Sequence, residues 1–343
     1  MSSMTLWDRR GRAPELVRDR FFLLFGCGEN DYSWRGVGFL AGVYFGAIFA
    51  AAVISPCIYD GFLGWAENDP NGINAFFARK PFPRYFDRLR WVAILALLPW
   101  LLKTCGLLSA ERIGLSFSKS PLRPIAVWAG IGLLLPGAVT SVQLLAPTTA
   151  WDWEVESNGQ MMFLLASSLL AAVALGLAEE TIFRGLLLRM FYTAMRPWSA
   201  IIGSAFVFAA LHFKEIPDQV WSRGDTVDLS TGIEVGVWTV LGPVHGFDPV
   251  MFLNLFLTGI ILSVVFLKTG SLWPCIGLHG GWVFYRLAYS RCINLGMNES
   301  NILLGSEKIV DGLAATVVLA VMAAILIGQA TRQDDLCETE NAH

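Results

Sequence analysis

Charge is scarce in this chain. Only 15% of its 343 residues are Asp, Glu, Lys or Arg, where a soluble domain carries about 25%, and its mean hydropathy is +0.54. That scarcity excludes a pair of soluble domains and puts most of the chain in a membrane. The net charge is −3 and no basic block occurs, so nucleic acid is excluded as a partner. The six cysteines (Cys27, Cys57, Cys105, Cys275, Cys292 and Cys337) form no CxxC pair, which argues against a zinc knuckle or a disulfide framework. No HExxH is present. The first residues carry Arg9, Arg10, Arg12, Arg18 and Arg20 but no short apolar core with a small-residue cleavage site, so no cleaved signal peptide is expected. Regular polar–apolar alternation is also missing, which excludes a membrane-spanning β-barrel.

What the chain does have is a series of long apolar runs. They predict an all-α polytopic integral membrane protein with about eight transmembrane helices, each near the ~20 residues that a ~30 Å hydrocarbon core demands. The expected spans are 36–59, 91–108, 124–145, 161–196, 198–213, 249–267, 269–288 and 312–330. The domain reading is a basic segment 1–35, a helical membrane domain 36–330 and a polar tail 331–343. A polar insertion, 214–248, interrupts the membrane domain and carries Trp221, Asp225, Asp228, Trp238 and His245. It reads as a solvated interfacial loop or as a lid beside a site. Counting Lys and Arg puts the N-terminus, the 103–123 loop and the tail in the cytoplasm, and the acidic 147–160 loop outside. Arg79, Lys80, Arg84, Arg88 and Arg90 run against that count.

Against this apolar background, Glu179, Glu180 and Arg184 stand out directly after the charge-free run Met161–Ala178. A charge at the centre of a membrane helix costs about 2.5–3.5 kcal/mol even on lenient scales, and such residues usually mark a functional site. Two of the four histidines, His212 and His279, also lie in apolar segments; His245 falls in the insertion and His343 ends the chain. With Pro197 as the hinge of a helix pair, Glu179 lies 18 residues before it and His212 lies 15 after it. At 1.5 Å per residue these are about 27 Å and 22 Å, a compatible depth. His279 lies about 10 residues into its own span, so the site is expected in the bundle interior. Glu180 and Arg184 are four apart and share a helix face, as do Phe208 and His212. One division makes Glu180–Arg184 a structural ion pair and Glu179 the reactive carboxylate; the spacing alone allows the opposite. Such a cluster supports hydrolysis. A desolvated Glu acts as general base towards water, and a histidine orients that water or donates to an oxyanion. Glu179, His212 and His279 would also make a three-ligand zinc set with an open position.

Glu179-Glu180-xxx-Arg184, Phe208-xxx-His212 and the late His279 resemble the EExxxR, FxxxH and final-His signature of the CAAX-protease and bacteriocin-processing family, also called the Abi family of intramembrane proteases. The motif-bearing core covers about 162–290. The resemblance implies a glutamate-type intramembrane endopeptidase acting on a membrane-associated or lipidated protein. Carried over by motif, Glu179 activates water, His212 assists, His279 helps bind the oxyanion, and Glu180, Arg184 and Phe208 support them. No cofactor is expected on this reading; zinc is the exception left open. Prenyl-protein members place an oxyanion-binding asparagine four residues after the last His, and here Val283 stands there. Losing one such donor typically costs about 10²–10³ in rate, which keeps a non-catalytic membrane scaffold as an alternative. A transporter or proton relay using the same cluster is another, although the paired repeats of such proteins are not visible. The expected partners are a membrane-associated peptide or protein substrate and the bilayer, and the expected location is a bacterial inner membrane. Gly277, Gly280 and Gly281, with Gly46, Gly130 and Gly132, read as helix-packing positions. Asn254 reads as a polar contact between helices or as a stand-in for the missing amide.

Overall fold

The computed structural model describes residues 31–68, 77–105, 107–116, 120–145, 151–153, 155, 157–213, 216, 227–295, 302–306 and 308–340. The expectations for 1–30, for most of 214–226 and for the last residues of the tail lie outside these. Helices dominate: α1 Asp31–Asn68, α2 Phe82–Thr104, the short α3 Ala110–Ile113, α4 Leu122–Leu145, α5 Asn158–Glu180, a π-helical segment Thr181–Leu187, α6 Leu188–Ala194, α7 Pro197–Ala210, α8 Leu229–His245, α9 Pro249–Thr269, α10 Leu272–Cys292 and α11 Leu313–Glu340. Two three-residue strands, β1 Trp151–Trp153 and β2 Ile293–Leu295, pair antiparallel, with Asp152 opposite Asn294. The protein is thus an all-α membrane bundle with one small ribbon.

Four helical stretches are long and apolar enough to cross a membrane: Trp34–Asn68, Leu122–Leu145, Asn158–Tyr192 and Pro249–Thr269. Phe49, Leu134, Phe163 and Leu170 point outward from them. Large apolar side chains exposed this densely are what a lipid-facing surface requires. Pro197–Ala210 and Leu313–Gln329 are apolar but shorter.

The chain divides into two compact units. One comprises residues 1–33, 107–209 and 248–343, the other 34–106 and 210–247. In the first, α10 is the central helix and packs most extensively on α4 and α5. Glycine makes this close approach possible. A Cβ on Gly277 would fall 2.5 Å from the Ile125 carbonyl oxygen, and one on Gly281 2.6 Å from that of Ala129. On the facing helix, a Cβ on Gly132 would strike the Leu278 carbonyl. Small residues four apart allow membrane helices to approach backbone to backbone. Gly280 lies looser: a Cβ there would fall 3.7 Å from the Ala172 carbonyl oxygen. Gly46 and Gly130, expected to pack likewise, meet no described atom within 4 Å. Gly281→Leu should therefore lower the stability of the detergent-solubilised protein by at least the ~1–3 kcal/mol typical of overpacking. Gly130→Ala should move it by no more than about 0.5 kcal/mol; thermal unfolding of the two variants measures the contrast.

Helix ends in this unit follow local chemistry. Asp248 caps α9 by accepting from the amides of Val250 (2.8 Å) and Met251 (3.0 Å), with Pro249 in the first turn, and Gly270 ends it at φ +63°. The amide of Asn254, on the same helix and fully buried, donates to the carbonyls of Val310 (2.8 Å) and Gly312 (3.0 Å). It is a clamp on the loop before α11, which occupies the donor considered as a replacement oxyanion group.

In the second unit, α1, α2 and α8 share a core of Ile48, Ala51, Ala52, Phe82, Phe86 and Val235. The insertion expected to be a loop thus holds a 17-residue helix. Its reason is compositional: between Leu229 and His245 the one charged residue is Glu234. Gly232 lies against the Ala52 backbone and Gly236 against Ile48. Asp228 starts the helix with a capping box shared with Thr231. Its hydrogen bonds with Ser230 and Thr231 hold the carboxyl down to about 2. α2 begins at Phe82, nine residues before the expected span, so Arg84, Arg88 and Arg90 belong to a helix rather than to a flanking loop. Arg90 is buried, pairs with Asp87 at 2.5 Å, and lies near the rings of Tyr44 and Trp91.

Candidate active site

α5 delivers Glu179 and Glu180 at its last two residues, and the π-helical segment begins at Thr181. π-turns inside α-helices recur at functional sites because they re-aim side chains without breaking the helix. Glu180 and Arg184 lie four residues apart, and Arg184 Nη1 donates to Glu180 Oε1 at 3.0 Å. Both are buried, Glu180 completely. The second Arg184 nitrogen, Nη2, donates to the Gly259 carbonyl of α9 at 3.3 Å. Gly259 is itself a contact point: a Cβ there would lie 2.8 Å from Ala205. Nothing in the apolar sequence of α9 marks that carbonyl as a guanidinium acceptor except the glycine.

α10 brings in His279. Its Nδ1 lies 2.8 Å from Glu180 Oε1, and its Nε2 lies 3.9 Å from Glu179 Oε2. An ionised carboxylate only accepts, so Nδ1–H donates to Glu180 and the opposite ring edge is turned towards Glu179. Glu180 consequently joins two partners. It neutralises Arg184 and fixes the tautomer and plane of His279. Glu179 keeps 13% of its side chain exposed, against none for Glu180. The two adjacent carboxylates differ in exposure, although the Glu179 oxygen nearest His279, Oε2, is itself buried.

Phe208 of α7 closes the cluster. Its ring sits 4.6 Å beneath the Arg184 guanidinium carbon and edge-on to His279 at 5.9 Å. Phe183 adds a second edge-to-face contact with Phe208 at 5.0 Å. These rings shield the ion pair and lower the local dielectric, which strengthens charge interactions inside. The free thiol of Cys275, fully buried one turn before His279, donates to the Leu262 carbonyl at 3.4 Å.

Glu179, Glu180, Arg184, Phe208 and His279 thus converge within one unit. His212 lies two residues beyond the end of α7, half-buried, in the other unit. Val283 lies on α10 one turn after His279 and is half-buried. Among the described residues no three His, Cys, Asp or Glu side chains converge as a metal's ligand set would. A catalytic zinc takes three protein ligands, while Glu180 is already engaged by Arg184 and His279. Within this unit that leaves Glu179 and His279 of the expected zinc set.

A helical membrane bundle with a carboxylate–histidine cluster on its central helices is an integral membrane protein with the groups of a hydrolytic site. Residues 161–285 match the model of the Rce1-like family, described as Type II CAAX prenyl endopeptidase Rce1-like. The match covers the spans that bear Glu179, Glu180, Arg184, Phe208, His212 and His279, and agrees with the CAAX-protease and Abi resemblance of the motifs. No curated protein and no solved structure matches the chain. At the level of the family, the match supports a CAAX-type intramembrane protease.

Proposed function

We propose that the protein is an intramembrane endopeptidase that hydrolyses a peptide bond in a membrane-associated or lipidated protein, with Glu179 as the general base. The observation that carries this reading is the pairing of one fully buried carboxylate, Glu180, committed to Arg184 and His279, with a second, Glu179, that is partly exposed and turned to the other edge of the same imidazole. Glu179 takes a proton from water as the oxygen attacks the scissile carbonyl carbon. The carbonyl π electrons move onto oxygen. When the C–N bond breaks, the proton passes from Glu179 to the leaving amine. His279, carrying both ring protons, donates Nδ1–H to Glu180 and Nε2–H to the oxyanion. In that form the two carboxylates balance Arg184 and His279, and the buried cluster is neutral. An oxyanion donor of this kind is worth about 10²–10³ in rate.

Glu180 and Arg184 are positioning residues in this scheme, and Phe208 is the wall that keeps the pair dry. On the Phe208-xxx-His212 spacing alone, His212 is proposed to assist Glu179 with the water. The chemistry runs without a metal. Arg9, Arg10, Arg12, Arg18 and Arg20 support a cytoplasmic N-terminus in a bacterial inner membrane. The test is cleavage of a prenylated peptide by the purified protein in vesicles, with and without a strong chelator. Cleavage should persist within about twofold under chelation; loss under chelation with recovery on adding zinc would overturn the metal-free scheme.

A further inference from the structure

The second unit carries a basic band of its own. Residues 77–91 hold Arg79, Lys80, Arg84, Arg88 and Arg90 against one acid, Asp87. Arg90 is buried and takes Asp87 at 2.5 Å. Arg79, Arg84 and Arg88 are exposed, and their side chains make no hydrogen bond or ion pair among the described residues. Asp60 and Glu67, near the end of α1, are exposed and pair with none of them. Arg84 and Arg88 are four apart and share one face of α2. Val92 and Leu95 continue that face, and both are exposed. A single open stripe thus passes from guanidinium to aliphatic side chains within one turn. The rings beside it suit a membrane boundary. Tyr59 of α1 meets Phe82 at 5.7 Å and Tyr85 at 5.2 Å, and Trp65 is exposed; Trp and Tyr collect where lipid meets water.

Length decides how close this band lies to the hydrocarbon. The uncharged stretch of α2 runs from Trp91 to Leu102, between Arg90 and Lys103. At 1.5 Å per residue it rises about 18 Å, against a core of about 30 Å. Too short an apolar stretch is accommodated by thinning of the bilayer and by flanking Lys and Arg that snorkel to the surface. Arg84 and Arg88 are then held at the inner edge of the head groups, where an unpaired charge is costly unless it meets water or an anion. A guanidinium fits a phosphate through two parallel N–H donors. We propose that the exposed face of Arg84 and Arg88, with Arg79 just ahead of the helix, binds an anionic phospholipid. Its phosphate lies on the two guanidinium groups and an acyl chain runs along Val92 and Leu95. Charge selects the head group, and the aliphatic continuation of the same stripe selects a ligand with a tail over a free anion. This contact gives a role to the one basic run that stands against the Lys and Arg count of the other loops. It lies wholly in the second unit and is independent of hydrolysis at Glu179.

The test is equilibrium binding to the full chain in uncharged detergent micelles. The probes are phosphatidylglycerol and phosphatidylcholine carrying the same fluorescent acyl chain. One Lys or Arg near an anionic lipid surface is worth about fivefold in affinity, so the wild-type protein should prefer phosphatidylglycerol by about 30-fold. Arg84→Gln combined with Arg88→Gln should bring that ratio within about threefold, with the melting temperature unchanged because both side chains are exposed. A control variant loses the same charge at Arg123 and Lys308, which are exposed in the other unit, and should keep the ratio. Equal affinity for the two lipids in the wild type, including no binding of either, overturns the proposal. So does a preference that survives the Arg84 and Arg88 substitutions, or one that the control variant loses as fully. Sodium phosphate in large excess should displace no more phosphatidylglycerol than sodium chloride of equal ionic strength. Greater displacement by phosphate would make this a site for the free anion and overturn the lipid assignment.

Discussion

Glu179→Gln should reduce peptide cleavage by about 10²–10⁴-fold, the range for losing a general base, while melting temperature and peptide binding stay unchanged. The substitution keeps the volume of the side chain and removes only its basicity. Glu179 retains 13% side-chain exposure, with Oε2 3.9 Å from His279 Nε2. The loss should appear in kcat with KM nearly constant, because the carboxylate acts on water in the transition state. The matched control is Glu180→Gln, which should lower stability as well as rate, since it removes the acceptor shared by Arg184 and His279. If Glu180→Gln loses only rate while Glu179→Gln loses stability, the roles of the two carboxylates are reversed.

Arg184→Leu should be the most damaging single change to the fold. It leaves Glu180, which is completely buried, with His279 in place of two cationic partners, and breaking a buried ion pair from one side costs about 3–5 kcal/mol. The variant also loses the bond to the Gly259 carbonyl and the cation over Phe208. Thermal unfolding in detergent measures the cost. The double variant Arg184→Leu with Glu180→Leu should recover a large part of it, because an apolar pair often replaces a buried ion pair without loss. Activity should not return with stability in the double variant, since His279 would no longer have an acceptor at Nδ1. Recovery of both would show that Glu180 does not position the histidine.

The spans were legible because lipid tolerates so few charges that each run announces itself. α8 was not: Asp225, Asp228 and His245 made the whole insertion read as polar, which masked an apolar helix packed on Ala52 and Ile48. The ion pair of Glu180 with Arg184 follows from a four-residue spacing. The second partner of Glu180 does not. Adjacent glutamates differ by about 100° around a helix, yet an imidazole offers two nitrogens on opposite edges and can face both, so the helical wheel could not distribute the roles. The π-helical segment after Glu180 has no sequence signature of its own. The clamp formed by Asn254 depends on carbonyls of the loop before α11, more than 50 residues away, which no local pattern reveals. His212 shares a motif with Phe208, but the chain divides between them.

The most direct test of a proteolytic centre at Glu179 and His279 is mass spectrometry of a prenylated peptide after incubation with the wild-type protein, Glu179→Gln and His279→Ala in the same vesicles. We expect a single cut by the wild type that releases a short C-terminal fragment and no detectable cut by either variant. A cut that persists in both variants, or an intact peptide in the presence of folded wild-type protein, would contradict it.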